Sequence, residues 1–340
     1  MIRETGIKMS GGAQILIALM GFLRPRSQQV RADAPNGAIA VDGRAPAVIL
    51  VHGSGGSAEG MAWIAPGLAA RGAIVVAADH PASAQGDPER RSILDMWEQP
   101  RDVSWMLDQL LRPEFAGVVD PGRVSVVGFS LGGASAMLLA GARLEMDRFR
   151  MFCETHDDGA CRAFRRHFGS MDAAYLARAG QSHADVRVKA AVAIAPAFTE
   201  AMTSASLRSL GAPVLVIYAE LDQQLPPGTH IRPVLEHLRP PSASHEVSGA
   251  QHFSFLPLCS PGAIAILAES NEEFACREAR DKTRQQIHAE TLGAMERFLE
   301  RHGLLAGASA HLERTDCRRA TSRSSLRAPS DSSGLTRPPW

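Results

Sequence analysis

The chain has 340 residues, of which 45% are hydrophobic and 21% charged, so it can bury a large core and is too apolar for wholesale disorder. Lys plus Arg, 36, equals Asp plus Glu, 36, so no global field recruits nucleic acid or an acidic membrane, and an aromatic share of 5% argues against base stacking. No run reaches the roughly 18 apolar residues a spanning helix needs, and five cysteines are too few for a disulfide scaffold of this size.

Residues 1–37 read as a leader. Arg3 and Lys8 precede the apolar run Ala13 to Leu23, and Val30-Arg31-Ala32 or Ala32-Asp33-Ala34 offers the small-residue site of a secretory signal. Arg24, Arg26 and Arg31 lie where such a segment is normally neutral, so a cytosolic leader stays open as the alternative, with Met9 as a second possible start.

From 38 to 303 strand and helix patterns alternate. Ala47 to Val51 is a short continuous apolar run, expected of a strand covered on both faces, followed by a Gly/Ser turn and a helical stretch from Ala58 to Arg71. Ala73 to Ala78 predicts a second buried strand, and Val103, Met106, Leu107, Leu110 and Leu111 recur at helical spacing. Arg123 to Val127 predicts a third strand, running directly into a small-residue helix, Gly132 to Ala142. Val188 to Ala195, Pro213 to Tyr218 and the short His245 to Val247 follow as strands, and Gln285 to Arg301 closes as an amphipathic helix with Ile287, Leu292, Met295 and Leu299 on one side. This alternation predicts an α/β fold, a mostly parallel sheet with helices on both faces. Residues 144–187 break the pattern: charged, with two cysteines and no buried-strand run, they read as an inserted lid.

Gly128-Phe129-Ser130-Leu131-Gly132 matches G-x-S-x-G. Chance supplies roughly 0.2 such matches in a chain this long, so the pattern alone decides little. Its position decides more, because it leaves a buried strand and opens a helix, the setting of a nucleophile elbow. A serine hydroxyl needs a base within reach and a group to orient that base. Asp222 follows the strand ending at Tyr218, and His252 follows the next strand, so the chain order is Ser, Asp, His. Glu220 is the rival acid, closer to its strand. His52 and His80 also fall at strand ends and are candidates to line the site, but they come too early in the chain for the general base. Two backbone N–H donors are expected to hold the oxyanion: one from Leu131, after the nucleophile, and one from Ser54 in the loop Val51-His52-Gly53-Ser54-Gly55-Gly56-Ser57. That loop lacks the Lys-Ser/Thr of a phosphate-binding loop and the spacing of a dinucleotide fingerprint.

The segments HGSGGS, AADHPAS, WEQPRDVSWMLDQL, VVGFSLGG, AELDQQLPP and GAQHFSFLP resemble the α/β-hydrolase fold. More closely, they resemble the bacterial predicted dienelactone hydrolase group, itself similar to platelet-activating-factor acetylhydrolases. The resemblance runs from about Ala45 to His302 and implies a serine esterase carrying Ser130, Asp222 and His252; such a triad needs no cofactor, and the sequence holds no C-x-x-C or H-E-x-x-H pattern for zinc. True dienelactone hydrolases use cysteine where this elbow holds Ser130.

Cys153 and Cys161 lie inside the insertion, and Cys259 and Cys276 follow the His252 loop; two local pairs suggest two disulfides and an oxidising compartment, with free thiols as the alternative. That favours a periplasmic or secreted protein over a cytoplasmic one. His156, Asp157 and Asp158 are read as a solvated loop rather than a cation site. Residues 304–340, rich in Ser, Arg and Pro and holding Cys317, read as a disordered basic tail. The expected reaction is hydrolysis of small-molecule carboxylic esters, without nucleic-acid partners or stable membrane insertion, and with the oligomeric state open. Few aromatics and a charged insertion argue for short or medium esters over long-chain lipids. An amidase, peptidase or lactonase using the same residues, or a non-catalytic binding protein on a hydrolase scaffold, are the alternatives.

Overall fold

The computed structural model describes residues 44–80, 95–269, 271–279 and 282–306. The expected leader, Cys317 and all of the expected tail beyond residue 306 lie outside the described residues; Leu304 and Leu305, expected to begin the tail, are buried in the hydrophobic core. The chain divides into two units, residues 1–305 and 306–340, and all but the first residue of the second lie outside the description.

Among the described residues, six strands form one sheet: β1 Ala45–Val51, β2 Ile74–Ala77, β3 Val119–Phe129, β4 Ala190–Ile194, β5 Val214–Ala219 and β6 Ala243–Val247. Their spatial order is β2-β1-β3-β4-β5-β6 and every neighbouring pair is parallel. The apolar runs form strands because both faces are covered: all seven residues of β1 and all six of β5 are buried. Side chains alternate between two cores. Ala47, Ile49, Val126, Ala191 and Val216 face one, while Val48, Leu50, Val127, Val192 and Ile217 face the other.

The helices are α1 Ala65–Ala70, α2 Glu98–Leu110, α3 Leu131–Leu139, α4 Met146–Thr155, α5 Gly159–Phe164, α6 Ala173–Ala179, α7 Ser204–Arg208, α8 Pro227–His230, α9 Arg232–Leu235, α10 Pro261–Glu269 and α11 Arg284–Arg301. The helical stretch expected from Ala58 to Arg71 divides into a 3-10 segment, Glu59–Ile64, and α1. Pro66 falls in the first turn of α1, where its missing N–H costs nothing. α11 starts at a capping box in which Thr283 and Gln286 each bond the other's backbone N–H. Its Ile287, Met295, Phe298 and Leu299 are buried in the second core, whereas Leu292, expected on the same side, is only partly buried.

Residues 144–187 contain α4, α5 and α6 and no strand. They are anchored on the first core through aromatic rings. Phe149 is fully buried, with its ring 5.7 Å from Phe164, 6.0 Å from Phe168 and 5.1 Å from Phe198, all edge-on. α10, by contrast, has no buried residue although its sequence, PGAIAILAE, is almost wholly apolar; Ile266 is 68% exposed. No described helix is long and apolar enough to cross a membrane.

Candidate active site

β1 has β2 on one side and β3 on the other, so the chain leaves their carboxyl ends in diverging directions. Open α/β sheets hold ligands at such a switch point. The loop after β1 begins at His52, and the turn after β3 is Ser130.

Ser130 has φ 54° and ψ −113°, a conformation that a residue with a side chain adopts only under constraint. The constraint is visible on both sides of its backbone. Its N–H donates to the Ile194 carbonyl (2.8 Å), and its carbonyl accepts from Ala134 (3.0 Å) and Ala197 (3.0 Å). The turn is so tight that a Cβ on Gly128 would lie 1.9 Å from the Gly132 carbonyl oxygen, and one on Gly132 would lie 2.1 Å from that of Val51. Glycine is therefore required at both ends of the pentapeptide for a steric reason.

Ser130, His252 and Asp222 meet although they lie on three separate loops. His252 Nε2 is 3.2 Å from Ser130 Oγ, and His252 Nδ1 is 2.7 Å from Asp222 Oδ2. Asp222 and His252 are both buried and Ser130 is partly exposed. Asp222 Oδ1 accepts the backbone N–H groups of Gln224 (2.9 Å) and Leu225 (2.8 Å), which fixes the carboxylate's rotation. Glu220 is engaged elsewhere: its Oε2 accepts from Ser248 Oγ (2.7 Å) and the Gly249 N–H (2.9 Å), bracing the turn before His252. Phe129 and Phe253 pack around the imidazole, with ring centroids at 5.0 and 5.2 Å.

The loop after β1 lies against the elbow. A Cβ on Gly53 would be 3.2 Å from Ser130 Cβ, so the peptide joining Gly53 to Ser54 runs beside the serine. Among the described residues, neither the Ser54 nor the Leu131 N–H has a backbone acceptor. His52 does not reach Ser130. It is buried, its Nε2 accepts the His80 backbone N–H (3.0 Å), and its Nδ1 lies 2.8 Å from the Gly53 carbonyl. The first contact requires an unprotonated Nε2, so the ring proton sits on Nδ1 and donates to Gly53. Burial, reinforced by the neighbouring His80, pushes the His52 pKa down to about 4, which keeps this ring neutral. His80 is also buried and its Nδ1 lies 3.1 Å from Asp102 Oδ2.

Three buried arrangements surround the site, and only the first has a signal in the sequence. Gln99 on α2 joins the loop after β1 to the elbow helix. His230 on α8 lies between Asp158 (2.8 Å) and Glu200, tying residues 144–187 to the segment that follows Asp222. Arg284, at the start of α11, donates to Glu278 (2.6 Å) and to the carbonyls of Pro257 (3.0 Å) and Ala275 (2.6 Å), behind the His252 turn. Gln99 carries a sequence signal, because it falls on the same helical face as Val103, Met106 and Leu110. The other two depend on contacts between distant segments.

Asp158 departs from the solvated loop expected of residues 156–158. It is buried, accepts the Cys161 N–H (2.9 Å) as the cap of α5, and pairs with His230. Burial pushes its carboxyl up, but these bonds outweigh that and hold it below the usual carboxylate range. Cys153 and Cys161 lie at disulfide distance, with Cα atoms 5.3 Å apart, as do Cys259 and Cys276 at 5.8 Å. A cavity of about 630 Å³ opens between residues 156–162 and the Asp222 loop, lined in part by Asp158, Arg162, Glu220, Asp222 and Gln223; neither Ser130 nor His252 lines it. Among the described residues no cluster of His, Cys, Asp and Glu is arranged to hold a metal ion.

Residues 48–265 match the model of the Alpha/beta hydrolase family, well over half of the chain. None of the curated proteins matches in sequence. Among solved structures, a ferulic acid esterase from Streptomyces cinnamoneus superimposes with a TM-score of 0.51 at 22% identity, covering 81% of this chain and 74% of that one. At that identity the likeness is one of fold.

Proposed function

We propose that this chain, which belongs to the alpha/beta hydrolase family, hydrolyses carboxylic esters through an acyl-enzyme formed on Ser130. The observation that carries the reading is the unbroken hydrogen-bond sequence from Ser130 Oγ through His252 to Asp222. His252 Nε2 accepts the serine proton as Oγ attacks the ester carbonyl, and Asp222 holds the imidazole in the required tautomer and balances its positive charge. The N–H groups of Ser54 and Leu131 stabilise the oxyanion, and the nine-residue α3 starting at Leu131 adds the positive end of its dipole. His252 returns the proton to the departing alcohol. A water molecule, deprotonated by the same imidazole, then releases the acid and restores Ser130.

Within the family, the sequence motifs favour the group similar to dienelactone hydrolases and platelet-activating-factor acetylhydrolases, with serine as nucleophile. The two cysteine pairs support an oxidising compartment, hence a periplasmic or secreted enzyme. Residues 144–187 act as the element that shapes the substrate side, supported by the Asp158–His230 contact and by the cavity they share with the Asp222 loop.

The test is hydrolysis of p-nitrophenyl esters from acetate to palmitate, with Ser130→Ala alongside. Turnover concentrated on the short members and abolished in the variant is expected. Activity retained by Ser130→Ala overturns the reading.

A further inference from the structure

The reaction described above makes no use of the buried amide of Gln99. This side chain is completely buried on the apolar face of α2, where a primary amide is costly unless its hydrogen bonds are met. Its Nε2 donates to the His52 carbonyl at 3.1 Å, and its Oε1 accepts from the Ser135 hydroxyl at 2.9 Å. The same hydroxyl lies 3.1 Å from the Leu131 carbonyl, so its single proton is shared between the two acceptors. One side chain thus links the two segments that bear the oxyanion donors: the loop that reaches Ser54 two residues after His52, and the first turn of α3 that begins with Leu131.

The remaining contacts on the loop are consistent with a fixed position. The Gly53 carbonyl accepts the His52 Nδ1–H (2.8 Å) and the Gly56 N–H (3.1 Å). That carbonyl and the Ser54 N–H belong to one trans peptide and point in opposite directions. Holding the carbonyl toward the His52 ring therefore turns the Ser54 N–H away from it. The imidazole and glycine contacts set the direction of this donor, whereas the Gln99 amide sets its distance from α3.

We propose that Gln99 is a positioning residue for the oxyanion hole, spacing the Ser54 and Leu131 N–H groups by bridging the His52 carbonyl to Ser135. The inference rests on the esterase reading given above. Loss of one oxyanion donor costs about 10²–10³ in kcat, and a misplaced donor costs part of that. Gln99→Met keeps the length and removes both hydrogen bonds. The expected result is a kcat on p-nitrophenyl butyrate lowered about 10- to 100-fold with KM within about threefold. Affinity for an alkyl boronic acid, which forms a tetrahedral adduct on Ser130, falls by a similar factor.

Gln99→Glu separates positioning from packing. As a carboxylate it has no proton for the His52 carbonyl, and as a carboxylic acid it has one. Its kcat relative to wild type should therefore rise as pH is lowered, a change that a purely structural role does not produce. Ser135→Ala provides the second variant, with kcat lowered about three- to tenfold and KM unchanged, and it decides the matter if Gln99→Met fails to fold. A folded Gln99→Met with kcat within twofold of wild type, or an unaffected Ser135→Ala, overturns the proposal while wild type still turns over ester. If wild type itself neither hydrolyses the ester nor binds the boronate, the esterase reading fails instead.

Discussion

Asp222→Asn exchanges a carboxylate for an amide of the same shape, and the geometry dictates which way that amide faces. In the native site Asp222 Oδ1 accepts two backbone N–H groups, from Gln224 (2.9 Å) and Leu225 (2.8 Å), while Oδ2 meets His252 Nδ1 at 2.7 Å. Only an oxygen satisfies the two backbone donors, so the new NH2 turns toward the imidazole. A donor there needs a bare Nδ1, which moves the ring proton to Nε2, 3.2 Å from Ser130 Oγ. Nε2 then cannot accept the serine proton, a tautomer error that costs about 10⁴ in kcat, or about 5.4 kcal/mol. The flipped amide restores the tautomer but sets its NH2 against both backbone donors, leaving each unmet at about 1–3 kcal/mol. The smaller of the two penalties governs, so the loss is at least roughly 30-fold and approaches 10⁴-fold where the flip is blocked. Steady-state kinetics on p-nitrophenyl acetate, with a thermal melt to establish folding, measures it. A folded Asp222→Asn with kcat within tenfold of wild type refutes the reasoning.

Gly132→Ala places a Cβ 2.1 Å from the Val51 carbonyl oxygen, so the elbow or β1 must shift, and kcat in p-nitrophenyl acetate hydrolysis should fall about 100-fold or more. Phe149→Ala removes a fully buried ring with three aromatic neighbours and should cost about 3–5 kcal/mol, read by denaturant unfolding. A loss under about 1 kcal/mol would mean that residues 144–187 do not depend on this cluster. His52 supplies a pH dependence: its folded pKa is lowered to about 4, first by burial and then by His80, against about 6.5 unfolded. The unfolded chain therefore binds the extra proton between these values, so this stability is full above pH 6.5 and is lost as pH falls toward 4, by about 2 kcal/mol at pH 5. Unfolding curves at pH 7 and 5 should show a smaller drop for His52→Asn than for wild type; an equal drop contradicts the assignment.

Local rules carried the sheet. Strands buried on both faces are written as continuous apolar runs, so β1, β2, β4 and β5 were legible to within a residue or two. β3 starts at Val119, four residues before the expected Arg123, and this part was not legible because Asp120, Pro121 and Gly122 are polar or exposed and break the apolar run. The positions of Ser130, Asp222 and His252 were legible as a pattern too, since each follows a recognisable strand. The supporting groups, Gln99 apart, were not. Nothing near His230 in sequence announces Asp158, 72 residues away, or Glu200. Composition alone does not place α10, an almost wholly apolar stretch that stands in solvent immediately after the His252 segment. The broken helix at Ala58 to Arg71 turned on one residue, Pro66.

The most direct measurement is intact mass and peptide mapping after titration with a fluorophosphonate, with residual hydrolysis of p-nitrophenyl acetate followed in parallel. The account predicts a single adduct on Ser130, formed in step with loss of activity, and no adduct in Ser130→Ala. Full activity in protein whose Ser130 is completely labelled, or an activity-linked adduct on another residue, would contradict it.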